Sequence, residues 1–559
     1  MPCPEVPIQQ IFGTECIGDS LPKINNNFTA LGDATCDLIT KVTNLSANPF
    51  NIVDSPTVDL SWDASARTLS ADVKDVFNVV DSSTIDLNWN ATTRTLSASL
   101  IGVTALAETA YAEHGRYAVI KNNRFYLWSE NYSDMLGNGD AGVPEFTPDI
   151  AQIIPFRDDN DEDYLRLNPS VTISKSIIQI RFLMVLLSDG TVWLNGRDVN
   201  AGVNSPDTNS FTRCFRRVKF SDSPVIKDIS FSTSSDTGYQ FFGALSTTNN
   251  GYLWGYNADR QLNTGTNVAI NTPTKITTTG IINNVRQIQC SGGGAADSVS
   301  IVTLDGNLFC CGYNAYGQFG IGSTSTPQST FVQSKINSTT FLTGVSAIYG
   351  KNYTSRTNLY ALKTDGTVWG AGDNASYQLG NGTTTDSTYF TQIGPGVLTN
   401  IVKLATCGHN GNITVLALGS TGNVYGWGYN GYGQLGRGNT ANVTSPTLID
   451  TGCSNIFVSS GANTGTATAY IKAGKIYFAG YTAHTDDKLG FGNTSQTSYK
   501  PACIPSDVVD CADSGFGGNS HNRIVLTNTG EVWGWGISHG GSLIPQQNEA
   551  VGHPMLIRI

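Results

Sequence analysis

The chain is poor in charge, and it lacks long apolar runs, so several classes of protein are excluded at once. Charged residues are 14% of 559, and 33 Lys and Arg stand against 44 Asp and Glu, for a net charge of −11. A phosphate-binding surface needs clustered positive charge, so no nucleic-acid partner is expected. No apolar run reaches about 18 residues, and the N-terminus has no basic, signal-like segment. We expect no membrane span and synthesis in a cytoplasm.

Cysteine and histidine are too few and too scattered to suggest a metal site. The 11 cysteines include no C-x-x-C pair, and this odd, dispersed set predicts reduced, buried thiols. The sequence has no H-E-x-x-H motif and no G-K-S/T phosphate loop. We therefore expect no cofactor, no catalytic residues and no enzymatic activity.

One acidic run is a candidate for a cation-binding site. Asp159, Asp161 and Asp163 have the alternate spacing that opens a calcium-binding loop. The sixth position of such a loop would be Tyr164 instead of Gly, and the twelfth would be Ser170 instead of Glu. We interpret the run as a solvated loop and keep the three aspartates as weak metal candidates.

What the chain has in abundance is glycine, 60 residues, and an internal repeat. Eight segments share an apolar strand, a Gly-containing turn, an aromatic-bearing strand and Gly-rich sequence that often ends in Gln-Leu-Gly. The pattern recurs about every 60 residues, the length of a four-stranded blade with its connections. The aligned aromatics, predicted to form the blade cores, are Trp128, Trp193, Trp254, Phe309, Trp369, Tyr425, Tyr477 and Trp533.

Turn and strand signals support blades made of hairpins. The two strands of a hairpin are separated by pairs that favour positive φ, namely Asp189-Gly190, Asn250-Gly251, Asp305-Gly306 and Asp365-Gly366. Proline removes a backbone donor, which costs little on an outer strand. We therefore expect outer strands at Pro273, Pro446, Pro501 and Pro554.

A different repeat precedes these eight segments. Residues 51–77 and 78–104 are similar, and each alternates apolar and polar residues on both sides of a turn, which predicts a β-hairpin with one apolar face. Trp62 and Trp89 would pack these hairpins. A lone hairpin is marginal in water, so each apolar face must be covered by another copy, another chain or another protein.

Residues 20–45 place apolar side chains in two rows at heptad spacing. This predicts a short helix that forms only when it is bundled with other strands or docked into a larger body. Its predicted attachment or oligomerisation contacts are Leu21, Ile24, Phe28, Leu31 and Leu38.

The repeat motif is an apolar strand followed by D-G, V-W/Y, G-x-N and Q-L-G-x-G. This motif resembles the regulator of chromosome condensation repeat family over about residues 105–559. That family usually forms seven blades, whereas eight units can be counted in this chain. We predict a mainly β protein with an attachment segment at 1–50, two hairpins at 51–104 and a propeller of eight four-stranded blades, or seven if one end unit is not a blade, at 105–559.

The N-terminal segment resembles the attachment segments of bacteriophage tail-fibre and tail proteins. The resemblance is carried by Gly18-Asp19-Ser20-Leu21, Ile24-Asn25 and Asn27-Phe28. It implies a virion component, a homotrimer whose N-terminus binds other virion proteins. Its propeller would face a host-surface receptor or a glycan.

Three functions remain open on the sequence. The first is a structural and adhesive virion protein of the tail or fibre. The second is a regulatory propeller, since the resembled family includes an exchange factor for a small GTPase that also binds chromatin. The third is a fibre-borne polysaccharide depolymerase, which only an assay separates from the first.

Overall fold

The structure is a computed structural model of the chain, and it forms two compact units, Met1–Gly102 with Ile559, and Val103–Arg558. The residues that it describes are 58–63, 68–73, 85–90, 95–100, 105–106, 108–111, 117–121, 124–128, 152–153, 155–160, 162–179, 182–196, 214–232, 240–292, 296–350, 357–409, 411–459, 467–480, 496–502, 504, 506–516, 520–537 and 550–557.

The first unit contains one antiparallel sheet of four strands, β1 Val58–Asp63, β2 Thr68–Val73, β3 Ile85–Asn90 and β4 Thr95–Leu100. The strand order is β1-β2-β4-β3, so the two predicted hairpins are confirmed and share a sheet through β2 and β4. The register pairs Trp62 with Leu69 and Trp89 with Leu96. Since alternate residues share a face, the apolar positions of all four strands fall on one face. The predicted helix at 20–45 lies outside the described residues.

The second unit is a succession of sheets, and the four main strands of each are antiparallel and follow one another in sequence order. The first sheet has strands β5 Ala105–Leu106, β7 Tyr117–Lys121, β8 Arg124–Trp128 and β9 Gln152–Ile153. The second has β11 Ile173–Gln179, β12 Phe182–Leu187, β13 Val192–Gly196 and β14 Phe215–Arg217, and it is extended at its two edges by β6 Glu108–Tyr111 and β10 Phe156–Arg157. One short helix, α1 Tyr164–Leu167, precedes β11.

Six four-stranded sheets follow. The third is β15 Ile226–Phe231, β16 Phe241–Ser246, β17 Gly251–Gly255 and β18 Ile270–Lys275. The fourth is β19 Val285–Ser291, β20 Ser298–Thr303, β21 Leu308–Gly312 and β22 Gln328–Gln333. The fifth is β23 Val345–Tyr349, β24 Asn358–Lys363, β25 Val368–Gly372 and β26 Ser387–Ile393.

The sixth sheet is β27 Ile401–His409, β28 Asn412–Gly419, β29 Val424–Gly428 and β30 Val443–Asp450. The seventh is β31 Cys453–Ser459, β32 Ala467–Lys472, β33 Lys475–Gly480 and β34 Gln496–Pro501. The eighth is β35 Val508–Phe516, β36 Ser520–Thr527, β37 Val532–Ile537 and β38 Ala550–Ile557.

Each sheet packs on the next through its first strand, and the series closes on itself. The last first strand, β35, contacts β5 and β6 at the start of the unit. Side chains of the first strands also link neighbours, since Lys175 Nζ lies 2.8 Å from Asp228 Oδ1 and Lys403 Nζ donates to Asn455 Oδ1 at 2.7 Å. A ring of four-stranded antiparallel sheets packed in this way is a β-propeller, so the predicted fold is confirmed.

The number of blades differs from the main prediction. Seven sheets, from β11 onward, form full blades, which agrees with the alternative count of seven. The first unit of the repeat forms a reduced sheet, because β5 and β9 have only two residues each, and its companion β6 pairs in parallel with β11 of the next blade. The expectation of eight equal blades is therefore too high by one.

The predicted turns and outer strands largely hold. Gly190, Gly306 and Gly366 have positive φ between the second and third strands of their blades, as the Asp-Gly pairs predict. At the Asn250-Gly251 pair the prediction is displaced, because Asn249 has the positive φ of 61° while Gly251 begins β17. The four prolines named above all lie on the outermost strands, β18, β30, β34 and β38.

Six of the eight aligned aromatics lie at equivalent positions near the start of the third strand of their sheets, and Trp128 and Trp254 do not. Trp193 is fully buried, whereas Phe309, Trp369, Tyr425, Tyr477 and Trp533 are half-buried and pack on the edges of apolar clusters. In the third sheet the equivalent residue is Tyr252, three residues before the strand-ending Gly255. Trp254 is therefore misaligned by two positions, although it is fully buried. Trp128 lies on β8, and its side chain is outside the described set.

Candidate binding face

The loops from the third to the fourth strand of four successive blades are built around a buried asparagine. Its side-chain amide donates to two backbone carbonyls farther along the loop, and its carbonyl oxygen accepts the amide five residues ahead. In the sixth sheet, Asn430 Nδ2 lies 3.0 Å from Asn439 O and 3.0 Å from Ala441 O, while Oδ1 accepts from Leu435 N at 2.8 Å. The equivalents are Asn257, Asn314 and Asn374.

A buried glutamine four residues after each asparagine completes the loop. In three of the four blades its oxygen accepts the backbone amide two residues before it, as when Tyr432 N donates to Gln434 Oε1 at 2.9 Å. Its amide donates to a loop carbonyl, a hydroxyl or a carboxylate, and Gln318 Nε2 reaches Tyr313 O at 2.7 Å. We call each Asn–Gln pair with these bonds a loop clamp. The sequence motif contains both residues, but their spacing alone did not reveal the role.

Each clamp also touches the next blade, which makes the four loops one continuous surface. A Cβ added to Gly312 would lie 3.0 Å from the Gln261 side chain, and one added to Gly372 would lie 3.1 Å from that of Gln318. Trp427 Nε1 donates to Gln378 O at 2.9 Å across the following boundary. We call this surface, made of residues 256–269, 313–327, 373–386 and 429–442, the loop face.

The loop face displays tyrosines and has little charge. The half-buried tyrosines are Tyr256, Tyr313, Tyr316, Tyr377, Tyr429 and Tyr432. The rings of Tyr429 and Tyr432 meet edge to face at 5.9 Å. Residues 313–327 include no charged side chain, and 429–442 include only Arg437. Every clamp asparagine and glutamine is buried, and its side-chain NH2 group donates within the protein. These amides are therefore not available to hold a glycan, and the exposed chemistry of the loop face is aromatic.

The predicted acidic run forms a closed loop. Asp158 Oδ1 accepts the amides of Asn160 and Glu162, and Asp159 forms an ion pair with Lys219 at 3.0 Å. Asp163 caps helix α1 through a 3.5 Å bond from Arg166 N. Asp161 lies outside the described residues. Among the side chains that the structure does describe, no group of three His, Cys, Asp or Glu residues is placed to hold a metal ion.

The seven cysteines within the described residues form no disulfide bond, and six of them are buried. Burial raises the pKa of the Cys310 thiol to about 12, although hydrogen bonds with Ser300 and Ser334 act in the opposite direction. Such thiols stay protonated at neutral pH and are poor nucleophiles.

The remaining predicted site residues belong to the predicted N-terminal helix and to the two hairpins. Outside the described residues lie Leu21, Ile24, Phe28, Leu31 and Leu38, and the side chains of Trp62 and Trp89 are likewise not described.

No helix in the described ranges is long and apolar enough to cross a bilayer.

The ring of blades and the clamped loops define the class of this protein, a repeat β-propeller. Within it, residues 421–465 match the Regulator of chromosome condensation (RCC1) repeat, and they contain β29, β30, β31 and the Asn430 clamp. The resemblance drawn from the sequence is thereby confirmed for this blade.

Curated relatives share parts of the propeller. Human E3 ubiquitin-protein ligase HERC2 is 30% identical over 167 residues, which cover 28% of this chain and 3% of HERC2. Human probable E3 ubiquitin-protein ligase HERC4 is 29% identical over 216 residues, which cover 38% of this chain and 19% of HERC4. The chain thus matches only a small part of the length of either relative.

A solved structure of Prp20p from Saccharomyces cerevisiae, described with its binding properties to Gsp1p and histones, is also similar. It is 16% identical with a TM-score of 0.45, and the match covers 63% of this chain and 80% of that one. None of these three relatives is a virion protein. The bacteriophage resemblance of the N-terminal segment receives no support from these matches.

Proposed function

We propose that this chain is a non-enzymatic interaction propeller that binds a protein partner through the loop face. The observation that carries the proposal is the combination of buried clamps and half-buried tyrosines. The clamps hold the loop backbone without using the tyrosine side chains. A rigid surface loses little conformational entropy on binding, so more of its contact energy appears as affinity.

The composition of the loop face supports a protein partner. Tyrosine is enriched and charge is depleted at the centres of protein interfaces, and loops rich in Tyr, Ser, Gly and Asn are the material of antibody binding sites.

The relatives indicate which partners to test first. Gsp1p and histones are named with Prp20p. A regulatory role toward a small GTPase or toward chromatin is therefore the finer form of the proposal. The charge-poor loop face and the net charge of −11 suit basic histones better than an acidic partner.

The test compares two variants of the full chain for binding to immobilised Gsp1p and to core histones. One changes Tyr313, Tyr316, Tyr429 and Tyr432 to Ser. The matched control changes four exposed apolar residues elsewhere on the propeller, Ile282, Leu304, Val397 and Val402, to Ser. We expect the tyrosine variant to lose binding at least tenfold, as removal of central aromatic contacts does, and the control to retain it. Loss in the control alone would refute the loop face. If neither protein binds, photocrosslinking from position 432 in a cell extract should still yield one dominant partner.

A further inference from the structure

One boundary on the loop face differs from the others in its chemistry. The residue two positions after each clamp asparagine is Asp259 in the third sheet, Tyr316 in the fourth, Ser376 in the fifth and Tyr432 in the sixth. Only the boundary between the third and fourth sheets therefore sets a carboxylate from this position against a tyrosine pair of the next blade, Tyr313 and Tyr316.

The Asp259 carboxylate is half-buried and incompletely satisfied. Its Oδ2 accepts a hydrogen bond from Asp297 N at 2.8 Å, and no hydrogen bond to Oδ1 is formed within the described residues. The neighbouring Arg260 forms no ion pair with it in that set, and burial raises the pKa of the Asp259 carboxyl in spite of the Asp297 bond. A desolvated carboxylate without a cation is costly, and a cation that arrives with a ligand offsets this cost.

Two tyrosines of the next blade follow, and the backbone of Asp297 links the first of them to Asp259. Asp297 N donates to Asp259 Oδ2 at 2.8 Å, and Tyr313 N donates to Asp297 O at 2.9 Å. The pKa of Tyr313 is raised first by burial and then by the electrostatic influence of Tyr316 and of Asp259. These three groups therefore share one small region. Tyrosine faces attract ammonium and guanidinium groups, most strongly where water is partly excluded.

We infer that Asp259, Tyr313 and Tyr316 form a subsite for a lysine or arginine side chain of the protein partner. This inference rests on the proposed function of the loop face, and it names the residue type that the partner inserts there. The cation pairs with Asp259 Oδ1 and lies against the tyrosine rings. The pocket between the fifth and sixth sheets has a similar tyrosine pair, Tyr429 and Tyr432, but its Ser376 hydroxyl is donated to Asn412 Oδ1 at 3.1 Å. It serves as the internal comparison.

The experiment needs no partner protein. The full chain is prepared with a single 3-fluorotyrosine at position 313 or, separately, at position 429. Each is titrated with Nα-acetyl-arginine methylamide and with its neutral analogue, Nα-acetyl-citrulline methylamide, and the 19F resonance is followed. We expect arginine to shift the label at 313 saturably and roughly tenfold more tightly than citrulline, the sum of a cation–π contact and an exposed ion pair. The label at 429 should not distinguish the two compounds.

Two variants complete the test. Asp259→Asn keeps an oxygen that can accept from Asp297 N, and it should reduce arginine affinity to that of citrulline without changing the melting temperature. Ser376→Asp should create arginine preference at the 429 label. Equal responses at both labels in the unaltered chain, or an undiminished arginine response in Asp259→Asn, would overturn the inference. Because the probes are small molecules, failure of this test leaves partner binding by the loop face to be judged by its own experiment.

Discussion

Substitution of Asn430 by Ala removes one loop clamp and should be the most informative single change in the propeller. The asparagine is fully buried, and it satisfies three backbone groups at once. The truncation leaves Leu435 N without its acceptor and leaves the carbonyls of Asn439 and Ala441 without their donor.

The expected cost follows from these three groups. A buried donor or acceptor that loses its partner costs about 1–3 kcal/mol. Leu435 is buried, so its amide bears the full penalty, whereas Asn439 and Ala441 are exposed and water can replace part of what their carbonyls lose. We expect the free energy of unfolding to fall by about 3 kcal/mol. Asn430→Asp should be at least as damaging, because a carboxylate would face two carbonyl oxygens.

Two measurements check this reasoning. Urea denaturation followed by tryptophan fluorescence gives the global change, and amide hydrogen exchange of Leu435 gives the local one. Thr440→Ala, an exposed change in the same loop, is the control and should alter neither. A loss below about 1 kcal/mol together with unchanged protection of Leu435 would refute the clamp as the anchor of the loop.

Three further predictions concern other parts of the propeller. Trp427→Ala should destabilise by about 3–5 kcal/mol because a fully buried ring is lost, whereas Trp427→Phe, which loses mainly the bond to Gln378, should cost less than half as much in the same denaturation assay. Burial raises the pKa of Asp450, but bonds from Lys472 and Tyr470 outweigh it and leave the pKa below the ordinary 3.8. The stability that wild type holds over Asp450→Asn should therefore be present at pH 6 and disappear as pH falls below about 4; a constant difference would contradict the ion pair. Iodoacetamide at pH 8 should modify the partly exposed Cys511 well before Cys310, as peptide mass spectrometry can determine, and equal rates would refute the burial argument.

The fold was predictable because each repeat contains local sequence signals for its turns and its outermost strand. The turns at Asp305-Gly306 and Asp365-Gly366 are predictable from local sequence, because a tight turn between two strands needs a positive φ and glycine supplies it. Outer-strand prolines are equally local, because a missing donor is tolerated only where no further strand pairs. Blade cores were harder to place. In β17 two aromatics alternate, and only the strand-ending Gly255 shows that Tyr252 is the equivalent residue.

The sequence motif contains the asparagine and glutamine of each loop clamp, but it does not predict their hydrogen bonds. Gln434 lies four residues after Asn430 in the sequence, but the partners of Asn430 lie up to 11 residues ahead of it. Which carbonyls fold back over the side chain depends on the loop path, and no spacing rule predicts that path. The subsite at Asp259 could not be predicted from the sequence, because its residues come from two blades and come together only when the blades pack.

The loop clamp also separates what must stay fixed from what is free to vary. Between the asparagine and the glutamine lie three residues, Ala-Asp-Arg, Ala-Tyr-Gly, Ala-Ser-Tyr and Gly-Tyr-Gly in the four blades. The clamp bonds reach these residues only through the backbone, as at the Tyr432 amide. The middle side chain of each triplet can therefore change without altering the clamp bonds themselves, whereas the third residue has positive φ in all four blades and is restricted by its backbone. The propeller thus offers one variable position per blade on a constant frame, a suitable starting point for selecting new binding specificities.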